Sequence, residues 1–126
     1  MIKDPLTSKI ISICYEVHKE LGHGYSEKVY ENSLAIALDE AGLGAVQQHP
    51  INVYFREQLV GEYFADILVE NNVILELEAL EALRPEHQSQ LINYLKGTRV
   101  ERGLLINFGS PKVEIKRVYH PEFKSA

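Results

Sequence analysis

The stretch Gly61-Glu-Tyr-Phe-Ala-Asp66-Ile-Leu-Val-Glu-Asn-Asn-Val-Ile-Leu-Glu76-Leu-Glu78 reads as two strands joined by a short turn. Leu59 to Val69 forms the first expected strand, with Phe64, Asp66 and Leu68 on one face. Val73 to Glu78 forms the second, and its Val-Ile-Leu-Glu-Leu run suits a strand buried on both sides. Asn71 and Asn72 mark the turn, because asparagine tolerates positive φ. An unpaired ionised carboxylate in such a strand is costly. Asp66, Glu76 and Glu78 together would repel one another unless a cation sat between them. Oxygen-only ligands favour a hard ion, Mg²⁺ or Mn²⁺. Such an ion can clamp a phosphodiester oxygen and lower the pKa of a bound water. The competing account is that Asp66 and Glu76 merely end their strands near solvent. Ile-Leu-Val after Asp66 and Val-Ile-Leu before Glu76 embed both instead.

Register decides whether these groups can meet. Glu76 and Glu78 differ by two and share a face. A two-residue Asn71-Asn72 hairpin pairs Asp66 with Leu77 and turns Glu76 away from it. A three-residue loop, Glu70 to Asn72, pairs Asp66 with Glu76. A shared metal site requires the odd-length loop or a bulge.

The first helix is expected from Thr7 to Leu21, capped by Thr7 or Ser8, on the stripe Ile10, Cys14, Val17, Leu21. Gly22-His23-Gly24 ends it. The second helix runs from Ser26 to Ala41 on Tyr30, Leu34, Leu38 and Ala41, stopped by Gly42, with Glu27 on the Tyr30 face. Ile51, Val53 and Phe55 alternate with polar residues as a half-buried strand does, and Glu57-Gln58 is the expected turn after it. Pro85 opens a third helix that reaches Lys96 and stops at Gly97. Gln90 and Tyr94 lie four apart on one face of it, with His87 a turn earlier. Taken alone, this is an amphipathic helix with two half-buried polar residues. Gly103 to Phe108 reads as a central strand, reached by a right-handed parallel crossover. Val113, Ile115 and Val118 form a last strand at the sheet edge, flanked by Lys112, Lys116 and Arg117. The order is α-α-β-β-β-α-β-β.

The 126 residues, 45% hydrophobic and 25% charged, suit one soluble domain spanning 1–126. No apolar run is long enough for a membrane span, and Met1-Ile2-Lys3-Asp4-Pro5 has no apolar signal core. The single cysteine, Cys14, excludes an internal disulfide and fits a reducing, cytoplasmic setting. Set among Ile10, Ile11, Ile13 and Val17, it reads as a buried inert thiol. The net charge of −5 argues mildly against a dedicated nucleic-acid binder. Residues 1–95 carry the negative excess, whereas 96–126 hold Lys96, Arg99, Arg102, Lys112, Lys116, Arg117 and Lys124 against three glutamates. A phosphate-binding rim would fit that tail; from charge alone a solvated edge strand accounts for it.

Gly24-Tyr-Ser-Glu27-Lys-Val-Tyr30 matches the signature of the GxxExxY protein family. Gly61-Glu-Tyr-Phe-Ala-Asp66, Val73-Ile-Leu-Glu76-Leu-Glu78, Gln90-Leu-Ile-Asn-Tyr94-Leu and Gly103-Leu-Leu-Ile-Asn-Phe-Gly109 follow in the family's order. The resemblance covers residues 8 to 118. That family is similar in pattern to the PD-(D/E)XK nuclease superfamily, with an α-β-β-β-α-β restriction-endonuclease-like core and a divalent-metal site. The resemblance implies an α/β fold with a mixed sheet flanked by helices. It makes Asp66 the motif Asp, Glu76 the motif Glu, and Glu27 the acidic residue of an early helix. Gln90 and Tyr94 match the Gln-x-x-x-Tyr helix of the exonuclease-like branch. Two positions depart from it. Ala65 stands where the motif has proline, and Glu78 where it has lysine, the residue that orients the attacking water and offsets phosphate charge. Lys96, two residues past Tyr94, is turned roughly 200° around the helix from it.

The reading is a metal-dependent phosphodiesterase acting on DNA or RNA. Asp66, Glu76 and Glu78 would serve at the Mg²⁺ or Mn²⁺ site, Glu78 as ligand or base. Glu27, Gln90 and Tyr94 would position metal, water or phosphate. The alternatives are a non-catalytic nuclease-fold binding module or partner subunit, and a domain unrelated to nucleic acid. Oligomeric state, homo-oligomer included, is left open.

Overall fold

The computed structural model describes residues 4–122; Met1 to Lys3 and Lys124 lie outside that range. The elements are α1 (Pro5–Leu21), α2 (Glu27–Glu40), β1 (Ala45–Phe55), β2 (Gln58–Val69), β3 (Val73–Glu78), α3 (Pro85–Thr98), β4 (Arg102–Asn107) and β5 (Glu114–Tyr119). Five strands form one sheet in the order β1-β2-β3-β4-β5. Among the described residues only β3 and β4 pair in parallel, as the intervening crossover helix demands. No helix among the described residues is long and apolar enough to cross a membrane.

Each face of the sheet has its own core. Ile10, Cys14, Val17, Tyr30, Leu34 and Leu38 of α1 and α2 cover Ile67, Val69, Leu75, Leu77, Leu104 and Ile106. On the other side Leu91, Tyr94 and Leu95 of α3 cover Ile51, Ala65, Leu68, Ile74, Leu105 and Val118. The alternation in β3 and β4 therefore feeds both cores, and apolar burial on two faces holds the central strands. Burial pushes the Cys14 thiol up to about 12, which keeps it protonated and unreactive.

Helix α1 begins earlier than Thr7. Asp4 caps it, accepting the Thr7 N–H at 3.2 Å, and Pro5 occupies the first turn, where its missing N–H costs nothing. Arg102 closes on Asp4 at 2.5 Å and ties the helix start to β4. Helix α3 runs past Gly97 to Thr98, and Arg99 at φ 60° ends it in the left-handed region. After β3 the chain passes so close to Gly109 that a Cβ there would collide with the Leu80 backbone. The Asn107 side chain pins the same crossing, donating to the Leu80 carbonyl and accepting from its N–H.

The β2–β3 turn is the three-residue loop. Val69 pairs with Val73 and Ile67 with Leu75, which sets Asp66 opposite Glu76. Glu70 and Asn71 take positive φ, and Asn72 N–H closes on the Val69 carbonyl at 2.9 Å. Beyond Ile67↔Leu75 the β2–β3 ladder stops, whereas β1–β2 continues to Phe55↔Gln58. The far half of that hairpin is thus a two-stranded arm. Its tip is Arg56-Glu57, both at positive φ, as a two-residue hairpin turn matched to strand twist requires; the turn lies one residue before the expected Glu57-Gln58. Strand β1 also begins at Ala45, ahead of the Ile51 run.

One expected face does not hold. Phe64, Asp66 and Leu68 do not line a single surface: Ala65 and Leu68 share the α3 core, while Phe64 is exposed. Residues three apart can share a face only if the alternation breaks between them. The break has a cause in the neighbouring strand. Gln48 sits at φ 54°, and the β1–β2 register passes from Gln47↔Ile67 to His49↔Ala65 without pairing Gln48 to Asp66. The backbone twists there, and Asp66 is the residue at the twist.

Candidate active site

Asp66 and Glu76 meet where β2 parts from β3. Each carboxylate takes a backbone N–H of the other strand. Leu77 N–H donates to Asp66 Oδ2 at 2.7 Å, and Asp66 N–H donates to Glu76 Oε1 at 3.1 Å. These bonds replace the ladder bonds that end one residue earlier, so the fork is built from the two acids themselves. Burial raises the Asp66 carboxyl to about 6, with the charges of Glu31 and Glu27 adding to it. Burial and then the charge of Asp66 raise Glu76 to about 9. Glu76 is 7% exposed. Two acids held this way are energetically unfavourable as anions, and a cation would relieve both.

The rest of the constellation surrounds this pair. Glu27, in the first turn of α2, contributes its charge at Asp66, Glu76 and Glu78. Glu78 is half-buried on β3. Burial raises its carboxyl, Glu27 and Asp66 raise it further, and only His87 opposes them. His87 lies 3.9 Å away through Nε2. Its Nδ1 accepts the Arg84 N–H at 3.0 Å, which in the neutral ring leaves the proton on Nε2, facing Glu78. On α3, Gln90 donates its amide to the Tyr94 hydroxyl at 2.9 Å. Burial raises the Tyr94 phenol, and the charge of Glu76 raises it further, so the hydroxyl keeps its proton and has it free to donate. Glu27, Asp66, Glu76, Glu78, Gln90 and Tyr94 are thus brought together from α2, β2, β3 and α3.

Three residues beyond these contribute. Glu31, 4% exposed, accepts from Gln47 and Gln48 at 2.8 and 2.9 Å and pairs with Lys28 at 3.1 Å. It lies one helical turn after Glu27, so the i, i+4 spacing carried the signal. Gln48, whose backbone makes the twist, also acts on Asp66, its side chain lowering the carboxyl's pKa against burial. His87 was legible on the α3 face, but its orientation toward Glu78 depends on the Arg84 backbone. The other members of the Gly24–Tyr30 signature are structural. Gly24 takes φ 115° in the turn. Tyr30 is buried, donates to the Gly22 carbonyl at 2.6 Å and stacks on Phe108 at 4.8 Å.

Among the described residues no three or more His, Cys, Asp or Glu side chains form a ready cage; what stands at the fork is a pair of acids, with Glu78 directed to His87. A pair suits Mg²⁺, which keeps several waters and binds through one or two carboxylates plus substrate phosphates. A cleft of about 870 Å³ lies between the arm and α3, lined by Tyr54 and Tyr63 on one side and His87, Gln90 and Tyr94 on the other. Lys96 lines it as well, despite its angular offset from Tyr94. The basic residues of β5 are an exposed edge: Lys116 and Arg117 face solvent.

The family model of the PD-(D/E)XK nuclease superfamily matches residues 4–118. No curated protein sequence matches the chain. Among solved structures, SSO0001 superposes with a TM-score of 0.59 at 11% identity, over 95% of this chain and 80% of that one. An alkaline exonuclease from Laribacter hongkongensis superposes at 0.55, also at 11% identity, over 97% and 73%. At that identity the likeness is one of fold.

Proposed function

The chain belongs to the PD-(D/E)XK nuclease superfamily, and from that premise we propose that it is a metal-dependent phosphodiesterase acting on DNA or RNA in a reducing, cytoplasmic setting. The observation that supports this most is the Asp66–Glu76 pair, fixed by reciprocal backbone hydrogen bonds, with Tyr94 of the cleft wall near enough to feel the charge of Glu76. In this reading Asp66 and Glu76 hold Mg²⁺ or Mn²⁺, which when bound supplies positive charge at the phosphodiester and acidifies water. Tyr94, kept protonated and positioned by Gln90, donates to a phosphate oxygen. Glu27 and Glu31 add negative charge behind the pair and strengthen its attraction for a cation. Glu78, with a raised pKa, is available to accept a proton from water. Lacking the positive charge that lysine would bring, it leaves turnover slow.

The test is hydrolysis of single- and double-stranded DNA and RNA in Mg²⁺ and Mn²⁺, with Glu76→Ala as control. Metal-dependent products are expected from the unaltered protein and none from the variant. Millimolar Mn²⁺ should also raise the melting temperature, because an ion that binds only the folded pair stabilises by linkage. No shift and no calorimetric heat would remove the metal site from this reading. The second reading, a binding module without catalysis, is favoured by one observation, the glutamate at position 78. It would show as metal and nucleic-acid binding with no products.

His87 gives a separate test of the α3 end of the site. His87→Ala removes the acceptor for the Arg84 N–H, which serves as a helix cap of about 1 kcal/mol. The melting temperature should fall by roughly 3–5 °C. A melt unchanged by the substitution would show that the ring does not hold the start of α3.

A further inference from the structure

The cleft between the arm and α3 has a lining that the proposed hydrolysis does not by itself require. Tyr54 is 60% exposed and Tyr63 48% exposed, yet both are held on a paired hairpin rather than on a loop. Tyr63 packs against Tyr94 with ring centroids 5.8 Å apart, so one aromatic of the arm meets the α3 side of the site, and Tyr54 lines the same cleft. Between them the lining carries neutral amides, Asn52 and Asn93 among them, and one cation, Lys96, set against Glu86. A duplex is held chiefly through its phosphates by several lysines and arginines. Its base faces are sealed in the stack and cannot meet a tyrosine. A groove with aromatic faces, amides and almost no net charge has the complementary chemistry, that of unpaired bases. Its volume of about 870 Å³ is in the range that encloses several ring systems.

We propose that this cleft takes a single nucleic-acid strand, stacking unpaired bases on Tyr54 and Tyr63 while the adjoining phosphate reaches Asp66 and Glu76. The inference rests on the nuclease reading for the direction of the strand's phosphate, but not for the stacking. Two exposed tyrosines on the arm then act as a specificity element: they select strands whose bases are already unstacked. The amides at Asn52 and Asn93 face base edges rather than phosphates, so affinity should depend weakly on salt.

The experiment is fluorescence anisotropy with four labelled probes in Ca²⁺, which replaces the catalytic ion: a 12-nucleotide oligo-dT, a 12-nucleotide oligo-rU, an abasic 12-mer and a blunt 12-bp DNA duplex. Oligo-dT or oligo-rU should bind at least about tenfold more tightly than the abasic strand and the duplex, and the better of the two names the sugar. Tyr54→Ala and Tyr63→Ala should each weaken that binding by about 5- to 100-fold, while Tyr54→Phe should keep it. Circular dichroism melts of the alanine variants guard against loss of fold. Equal binding of abasic and normal strands, tighter binding of the duplex, absence of binding to all four, or indifference to both alanine variants would overturn the proposal. Cleavage of duplex in Mn²⁺ without base-dependent strand binding would sink this inference and leave the nuclease reading standing. Base-dependent strand binding with no cleavage of any substrate would do the reverse.

Discussion

Replacing Glu78 by lysine is expected to raise metal-dependent cleavage by on the order of 10²–10³, since that is the usual worth of one well-placed electrostatic group. Glu78 stands two residues past Glu76 on β3, and its carboxyl faces Glu27, Asp66 and His87. A fourth negative charge in that company repels an incoming phosphate. A lysine ammonium there would have acidic neighbours, and it would offer the phosphate and the attacking water the positive charge they now lack. The same substitution should stabilise the protein without metal, as one acid of a repelling set becomes its counter-ion. Initial rates in Mn²⁺ and melting curves in chelator check the two effects separately. Should Glu78→Lys lose the cleavage seen in the unaltered protein, Glu78 is a working base, and the slow-turnover reading of the site must be abandoned. In that event Glu78→Gln should lose activity as well, with the fold intact.

The strands and helices of this protein were legible because their patterns are local. The apolar run of β3 with glycine-flanked β4 behind a crossover helix, and the stripes of α1 and α2, each follow from periodicity within one segment. The site was legible in part for the same reason: acids inside apolar strands are conspicuous wherever the strands pair. What could not be read was the choice of loop. Asn71-Asn72 advertises a two-residue turn, but the chain spends positive φ on Glu70 and Asn71, and glutamate gives no such signal. The face change at Asp66 was hidden more deeply. It depends on Gln48, in another strand and eighteen positions away, adopting φ 54°. Without that twist Phe64 would have entered the core and Ala65 left it. The start of α1 is the opposite case. Asp4-Pro5 is a cap followed by a first-turn proline, and the signal was present in the sequence ahead of Thr7. Glu31 also left its mark, one turn beyond Glu27, but a helix surface offers many i, i+4 acids. Only the two glutamines of β1 single it out.

Glu76→Gln is expected to abolish cleavage and at the same time to raise the melting temperature of the metal-free protein by about 10 °C at pH 8. The carboxyl of Glu76 is raised from the ordinary glutamate range to about 9, by burial first and by Asp66 second. Asp66 is raised to about 6. A carboxyl whose folded pKa lies above its unfolded value costs nothing below the unfolded pKa, where both states hold the proton. Above it the unfolded chain releases a proton that the folded chain retains, so stability falls with rising pH until the folded pKa is passed. The window here runs from roughly pH 4 to pH 9. Between pH 5 and pH 8 Glu76 alone should account for a loss on the order of 2–4 kcal/mol, which corresponds to roughly 3–5 °C per kcal/mol in a domain of this size. Glutamine keeps the Oε1 that accepts the Asp66 N–H and carries no charge, so its melting temperature should fall less across that window than that of the unaltered protein, by the share that Asp66 and Glu78 contribute. The difference between the two proteins reports position 76 together with the relief of Asp66, whose charge acts on it, since groups elsewhere cancel. Asp4 is one of these: burial would raise it, but hydrogen bonds from Thr7 and Arg102 hold it low, so its own contribution is lost only at still lower pH. Millimolar Mn²⁺ should close the gap at pH 8 by stabilising the unaltered protein alone, because the ion favours the ionised pair that the apo fold disfavours. Parallel melting curves for the two proteins from pH 5 to pH 9 would mean that Glu76 is ordinarily solvated, and the electrostatic case for a cation at the fork would go with it.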